Sequence, residues 1–247
     1  MIRGLYSSAN GLLVQAARTD VIAGNLSAIG VPGYRRDIPT VSAFARTLRR
    51  TAAGGAAGPP GAVALLTPAT HLDLQPASLR HTGGKLDLAL DGPGFFAILT
   101  PAGEAYTRGG AFRLDAAGSL VTASGEPVLG QTGPIHIAGA DVQITDSGDL
   151  IVDGARVDRL RLVAFPPRVH FRRLGGGLLQ PAAGSPAALP LDPATHVRQR
   201  YLEDANVNAV RELAAMIAAL RSFEASQRAL HANDETLRTA IEEIARV

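Results

Sequence analysis

The chain contains no cysteine and no tryptophan, two methionines, and a single lysine at Lys85. Without thiols there can be no disulfide framework and no thiolate metal site, while the redox compartment stays open. Aromatic residues make up 4 %, so the core has to come from Leu, Val, Ile and Ala. A carbohydrate-binding or hydrolytic β domain would need clustered exposed aromatics or paired carboxylates in a cleft, and is poorly supported. No run of about eighteen apolar residues occurs, so no membrane span is expected. Asn10, Gln15, Arg18 and Asp20 interrupt the apolar block that a secretory leader requires. A protein of this kind that works outside the cytoplasm is expected to leave without a cleaved signal peptide.

Catalytic signatures are missing too. The histidines at 71, 81, 136, 170, 196 and 231 have no paired metal spacing, and no G-x-S-x-G elbow occurs. Gly92 to Gly94 and Gly175 to Gly177 lack the Lys and Ser/Thr of a phosphate loop and read as turns. Asp115 to Gly118 and Asp146 to Asp149 lack the alternating carboxylates and closing Glu of a calcium loop, and Asp with Gly is ordinary hairpin chemistry. The expectation is a protein that is not an enzyme and has no cofactor and no metal. The densest basic stretch, Arg35, Arg36, Arg46, Arg49 and Arg50, has no interleaved stacking aromatics, so with a net charge of +2 nucleic acid is not an expected partner.

What is present is a pattern at each end. Leu213, Met216, Leu220, Phe223, Gln227, Leu230, Asp234, Leu237, Ile241 and Ile244 alternate in steps of three and four, the spacing of a coiled-coil seam. Ile2, Leu5, Ala9, Leu12, Ala16, Thr19, Ala23 and Leu26 keep the same steps. The first helix is expected over 1–29, stopped by Gly30, Pro32 and Gly33. Gly4, Gly11 and Gly24 weaken it by about 1 kcal/mol each, and Gly4 and Gly11 share a face where another helix could come close. The last helix, about 38 residues and roughly 55 Å long, should start at an Asn206 or Asn208 cap. Glu224 with Arg228, Asp234 with Arg238, and Glu242 with Arg246 are acid-then-base pairs on its solvent face.

Between the ends the period changes to two. Residues 34–50 are ambiguous, 52–61 have a linker's composition, and short strands are expected near 62–66 and 72–74. Leu86, Leu88 and Leu90 alternate with polar or small residues as in a half-buried strand, and Phe95 to Leu99, Ala105 to Arg108 and Leu160 to Ala164 read as further strands. Gly118, Leu120 and Gly125 reappear about thirty positions on as Gly148, Leu150 and Gly154, so a stack of hairpins is the expected arrangement. Residues 166–193 read as loops with room for one hairpin. The fold class expected is therefore α+β: long N- and C-terminal helices forming a paired coiled-coil-like stalk, with a mainly β, hairpin-stacked central domain. The expected division is 1–33 plus 203–247 as a discontinuous helical domain, 34–80 as a connector, and 81–202 as the β domain.

Three segments together resemble the bacterial flagellar rod and hook axial family. The first is Asp20-Val21-Ile22-Ala23-Gly24-Asn25-Leu26 with Pro32-Gly33-Tyr34-Arg35. The second runs from Leu86 through Gly94-Phe95-Phe96, Tyr106-Thr107-Arg108, Phe112, Gly118 and Leu120-Val121-Thr122 to Gly130. The third is Asn206-Val207-Asn208 with Met216-Ile217, Phe223-Glu224 and Asp234-Glu235-Thr236-Leu237. The length is similar to that of the proximal or distal rod subunits. Gly24, Ala28 and Gly30 stand where the family usually has Asn, and residues 45–67 are richer in Ala and Gly than the distal rod's connector.

The resemblance implies a basal-body subunit, exported by the flagellar type III apparatus, that polymerises through its terminal helices into a tubular drive shaft. Its implied partners are further copies of itself, other rod and hook subunits and the export apparatus, with the P ring as one more contact to test. The subunit interface would use Leu5, Leu12, Leu26, Leu213, Met216, Leu220, Phe223, Leu230, Leu237 and Ile241. Asn25, Tyr34, Asn206 and Asn208 would fix the junction of helices and β domain. The alternative is a soluble coiled-coil adaptor that does not polymerise.

Overall fold

The computed structural model describes residues 2–43, 66–166, 169–192 and 194–244, among which there are two long helices and seventeen short strands. They gather into two compact units. One comprises residues 1–27, 37–71 and 208–247, the other 28–36 and 72–207.

The first unit contains α1 (Ile2–Ser27), the paired strands β1 (Asp37–Ala43) and β2 (Leu66–Leu72), and α2 (Ala209–Ile244). α1 ends two residues before the expected stop, where the Ser27 hydroxyl donates to the Gly24 carbonyl at 2.8 Å. At the start of α2 the Asn208 side-chain oxygen accepts the Arg211 amide at 3.0 Å, which satisfies one of the free donors of the first turn. β1 occupies the stretch that sequence left ambiguous. The strand expected at 62–66 falls largely outside the described residues, and the one expected at 72–74 is instead the end of β2.

The paired coiled-coil-like stalk is not formed. α1 has 26 residues against 36 in α2, and beyond Phe223 the described side chains of α2 are exposed except Ser226 and Leu230. Where the helices meet, the contact does not follow the expected seams. α2 buries Glu212 and Ala219, while Leu213, Leu220 and Ile241 stay 50, 46 and 65 % exposed. α1 buries Val14, Ile22 and Asn25, while Ala9, Ala16 and Ala23 are exposed. Steps of three and four define a helical face without saying which of two neighbouring faces is covered. No close helix approach occurs at Gly11 either, since a Cβ there would meet nothing within 4 Å.

In the second unit the largest sheet has six antiparallel strands in the order Phe171–Gly175, Leu178–Pro181, Gly103–Thr107, Phe95–Thr100, Leu162–Ala164, Leu189–Pro190. Two hairpins remote in sequence thus pair directly, Leu179 opposite Tyr106, and Leu162–Ala164 and Leu189–Pro190 extend the sheet beyond Phe95–Thr100, which corrects the expectation of a simple hairpin stack. Phe96 and Ile98 enter a core with Leu88, Leu120, Leu150 and Val197. Phe95 and Ala97, pointing the other way, pack with Tyr106, Val163, Phe165 and Phe171. Because both faces are covered along Phe95–Ile98, that stretch of the strand is a continuous apolar run. For the same reason Leu88, Ala89 and Leu90 are all buried, where sequence suggested a half-buried strand.

The thirty-residue repeat is physical. The Asp115 amide donates to Ser119 and Gly118 to Asp115, and in the same way Thr145 donates to Asp149 and Gly148 to Thr145. Gly118 and Gly148 hold φ of 80° and 82°, a region costly for residues with a Cβ. The one hairpin foreseen in 166–193 is present, turning at Gly175 to Gly177.

Candidate assembly site

No described residues form a group able to hold a metal, and no described helix is long and apolar enough to cross a membrane. The notable chemistry is a buried polar joint in each unit and an exposed apolar face on α2.

Asn25 is fully buried, although amides rarely are. Its side chain clasps the start of β1 in both directions, donating to the Asp37 carbonyl at 2.8 Å and accepting the Asp37 amide at 2.9 Å. The same Nδ2 lies 3.5 Å from Glu212 Oε2 in the first turn of α2. One amide thereby ties together three segments that are remote in sequence.

The second unit holds a tighter joint. Glu203, fully buried, receives Arg35 Nη2 on Oε1 at 2.7 Å and Arg108 Nε on Oε2 at 2.8 Å; both arginines are 2 % exposed. The Ala77 amide adds a third bond to Oε1 at 2.8 Å. Arg108 also donates through Nη1 to the carbonyls of Gly92 and Gly94 and through Nη2 to that of Leu90, so one guanidinium closes the turn after strand Leu88–Asp91. Burial pulls the Arg108 pKa down and the Arg35 charge adds to that, while Glu203 opposes it. Gly33 packs its backbone onto this joint: its amide donates to the Glu203 carbonyl at 2.7 Å with φ of 68°.

Of the residues expected from sequence, Tyr34 is buried under the Arg173 guanidinium, 4.3 Å from the ring centre. Asn206 accepts the Arg36 amide at 2.5 Å and donates to the carbonyls of Asp73 and Gln75. Tyr34 and Asn206 are joined through the backbone, Asn206 N–H to Tyr34 carbonyl at 3.1 Å. Leu12, Leu26, Met216, Phe223 and Leu230 are half-buried, and Leu213, Leu220 and Ile241 are exposed. Leu5 and Leu237 lie in the helices, but their side chains are outside those described.

Sequence reasoning did not single out Glu203, Arg108, Arg35 or Glu212 as partners. They lie up to 187 residues from the groups they meet, and no local spacing marks them.

Comparison with known proteins fits this architecture. Residues 198–243 match the family model described as flagellar basal body rod FlgEFG protein C-terminal. Residues 89–152 match the one described as flagellar hook protein FlgE/F/G D1 domain. The chain is 32 % identical to the flagellar basal-body rod protein FlgG of Agrobacterium fabrum, over 95 % of this chain and 96 % of that protein. It is 31 % identical to FlgG of Bacillus subtilis over 98 % of both chains, and 30 % identical to the flagellar basal-body rod protein FlgF of Escherichia coli over 95 % of both. Two domain matches in the right order, inside alignments that run nearly end to end, place this chain in the flagellar basal-body rod protein family.

Proposed function

We propose that this chain is a structural subunit of the bacterial flagellar basal-body rod that polymerises through its terminal helices into a tubular helical drive shaft. The observation that carries the reading is the row Val210, Leu213, Ile217 and Leu220 on α2, 46 to 78 % exposed in a chain aligned nearly end to end with rod proteins. An apolar face of this kind is unfavourably hydrated until a neighbour covers it. In this reading Leu213, Leu220 and Ile241 are covered by neighbouring subunits. Leu5, Leu12, Leu26, Met216, Phe223, Leu230 and Leu237 belong to the same assembly, and Asn25, Tyr34, Asn206 and Asn208 set the shape of the segments that present them. In this reading its contacts are further copies of itself and other rod and hook subunits, and the flagellar type III apparatus exports it.

Leu220→Asp tests this directly. Because Leu220 is half exposed, the substitution leaves the folded monomer intact and places a charge where the reading puts an apolar contact. Cells carrying it are expected to lack rods and not to swim; normal swimming with assembled rods would overturn the reading.

A further inference from the structure

The first half of α2 has two apolar faces. One, with Ala219 at 1 % exposure and Met216 and Phe223 half-buried, is packed within the chain. The other is the row Val210, Leu213, Ile217 and Leu220, spaced three, four and three residues apart and so aligned along one side. Glu224 follows on that same side, 65 % exposed, and its carboxylate reaches only Arg228 among the described residues, at 4.0 Å. The row thus ends in a loosely held acid.

The same unit contains a groove of about 350 Å³ between α1 and the β1–β2 pair, walled by Val14, Val21, Pro39, Val41 and Ala69. Val41 is 53 % exposed, and Leu13 on the adjoining surface of α1 is 68 % exposed. Arg18 stands on the wall, exposed, and forms no ion pair with a described residue. Val14 to Val21 and Leu213 to Leu220 each cover about 10 Å of helix. An apolar trough with one unpaired cation and an apolar ridge ending in one acid are complementary in both shape and charge.

We infer that the groove receives the Val210–Leu220 row of a second copy of this chain, with Arg18 meeting Glu224 of that copy. This rests on the reading that the chain polymerises. A chain does not fill its own groove with its own row, because its α2 packs inward through the Ala219 face while the row stays exposed. Groove and row are different surfaces of one molecule, so the contact is heterologous and repeats head to tail, which generates a helix of subunits when the rotation does not close. The apolar surfaces supply the attraction. The Arg18–Glu224 pair at the rim sets the register and disfavours the row meeting itself, which would bring acids together.

The absence of native cysteine makes the test clean. Purified full-length Val41→Cys and Ile217→Cys proteins, both altered at exposed positions, are mixed and mildly oxidised, one of them carrying a mass tag. The mixed disulfide is expected to exceed either homodimer several-fold. In parallel, sedimentation measures self-association of Arg18→Glu, Glu224→Arg and the double reversal. Each single change should weaken association roughly tenfold, since like charges then face each other, and the double change should restore it. Ile217→Cys homodimers in excess would mean that rows pair with rows and would overturn the inference. So would normal self-association with no mixed disulfide, or a double reversal no better than either single, and both would leave the rod reading standing. No self-association at any concentration, together with normal motility of the Leu220→Asp strain, would remove both.

Discussion

Glu203→Gln is the most revealing single substitution for the β unit. The carboxylate is fully buried between Arg35 and Arg108, at 2.7 and 2.8 Å, with a third bond from the Ala77 amide. Glutamine keeps the shape and one acceptor, but it removes the negative charge and turns its NH2 toward Arg108 Nε, donor against donor. Two guanidinium groups would then sit desolvated without a counter-charge, and breaking a buried pair in this way costs about 3–5 kcal/mol. With a urea slope of about 2 kcal/mol/M, the midpoint of unfolding followed by the sheet circular-dichroism signal falls by roughly 2 M. Arg238→Ala is the internal control. Its ion pair with Glu242 is 3.0 Å long, but the side chains are 80 and 59 % exposed, and losing such a pair shifts the midpoint by no more than about 0.3 M. A Glu203→Gln shift as small as the control's would show that the joint is hydrated, and would refute the idea that burial makes it strong.

Gly33→Ala forces a side chain into a left-handed residue with φ of 68°, with its Cβ 2.2 Å from the Arg108 carbonyl carbon and the Gly109 nitrogen. Roughly 3 kcal/mol or more is expected to be lost in thermal unfolding, because backbone cannot yield as a side chain would. Asn208→Ala removes the α2 cap and lowers stability by about 1 kcal/mol, read from the helical circular-dichroism signal, while Asn208→Ser retains most of it. Asp158 is pushed up by burial but held below its ordinary value of 3.8 by hydrogen bonds from the Thr132 hydroxyl and the Arg159, Thr132 and Gln131 amides. A depressed carboxyl contributes stability above its unfolded pKa and loses it as pH falls through the folded one. Stability curves of wild type and Asp158→Asn should therefore differ at neutral pH and converge below about pH 4.

The features legible in the sequence were those fixed by short-range chemistry. The Asp-x-x-Gly turn at 115–118 and its counterpart at 145–148 follow from glycine's access to positive φ, and Asn208 follows from the need of the first helical turn for an acceptor. Tyr34 and Asn206 were visible as motif residues, but not their partners, because the carbonyls of Asp73 and Gln75 leave no mark on side-chain identity. The stalk failed for a specific reason. Reading Leu213, Met216, Leu220 and Phe223 as one seam merged half of a covered face with half of an exposed one, and only tertiary contact separates them. Glu212 carries no mark of its burial either: a carboxylate in the first turn of a helix is ordinarily solvent-facing, yet this one is buried 3.5 Å from the Asn25 amide.

Because Asn25 lies 187 positions before Glu212, the unit they share is the last to be completed whenever the chain is delivered from one end. Closing a loop of that size costs about 4–5 kcal/mol of chain entropy. Anything that threads the polypeptide amino end first, whether ribosome or pore, releases an opening helix that can meet β1 but lacks its α2 contacts until the last segment arrives. Clipping that tail would then harm the beginning of the molecule as much as its end.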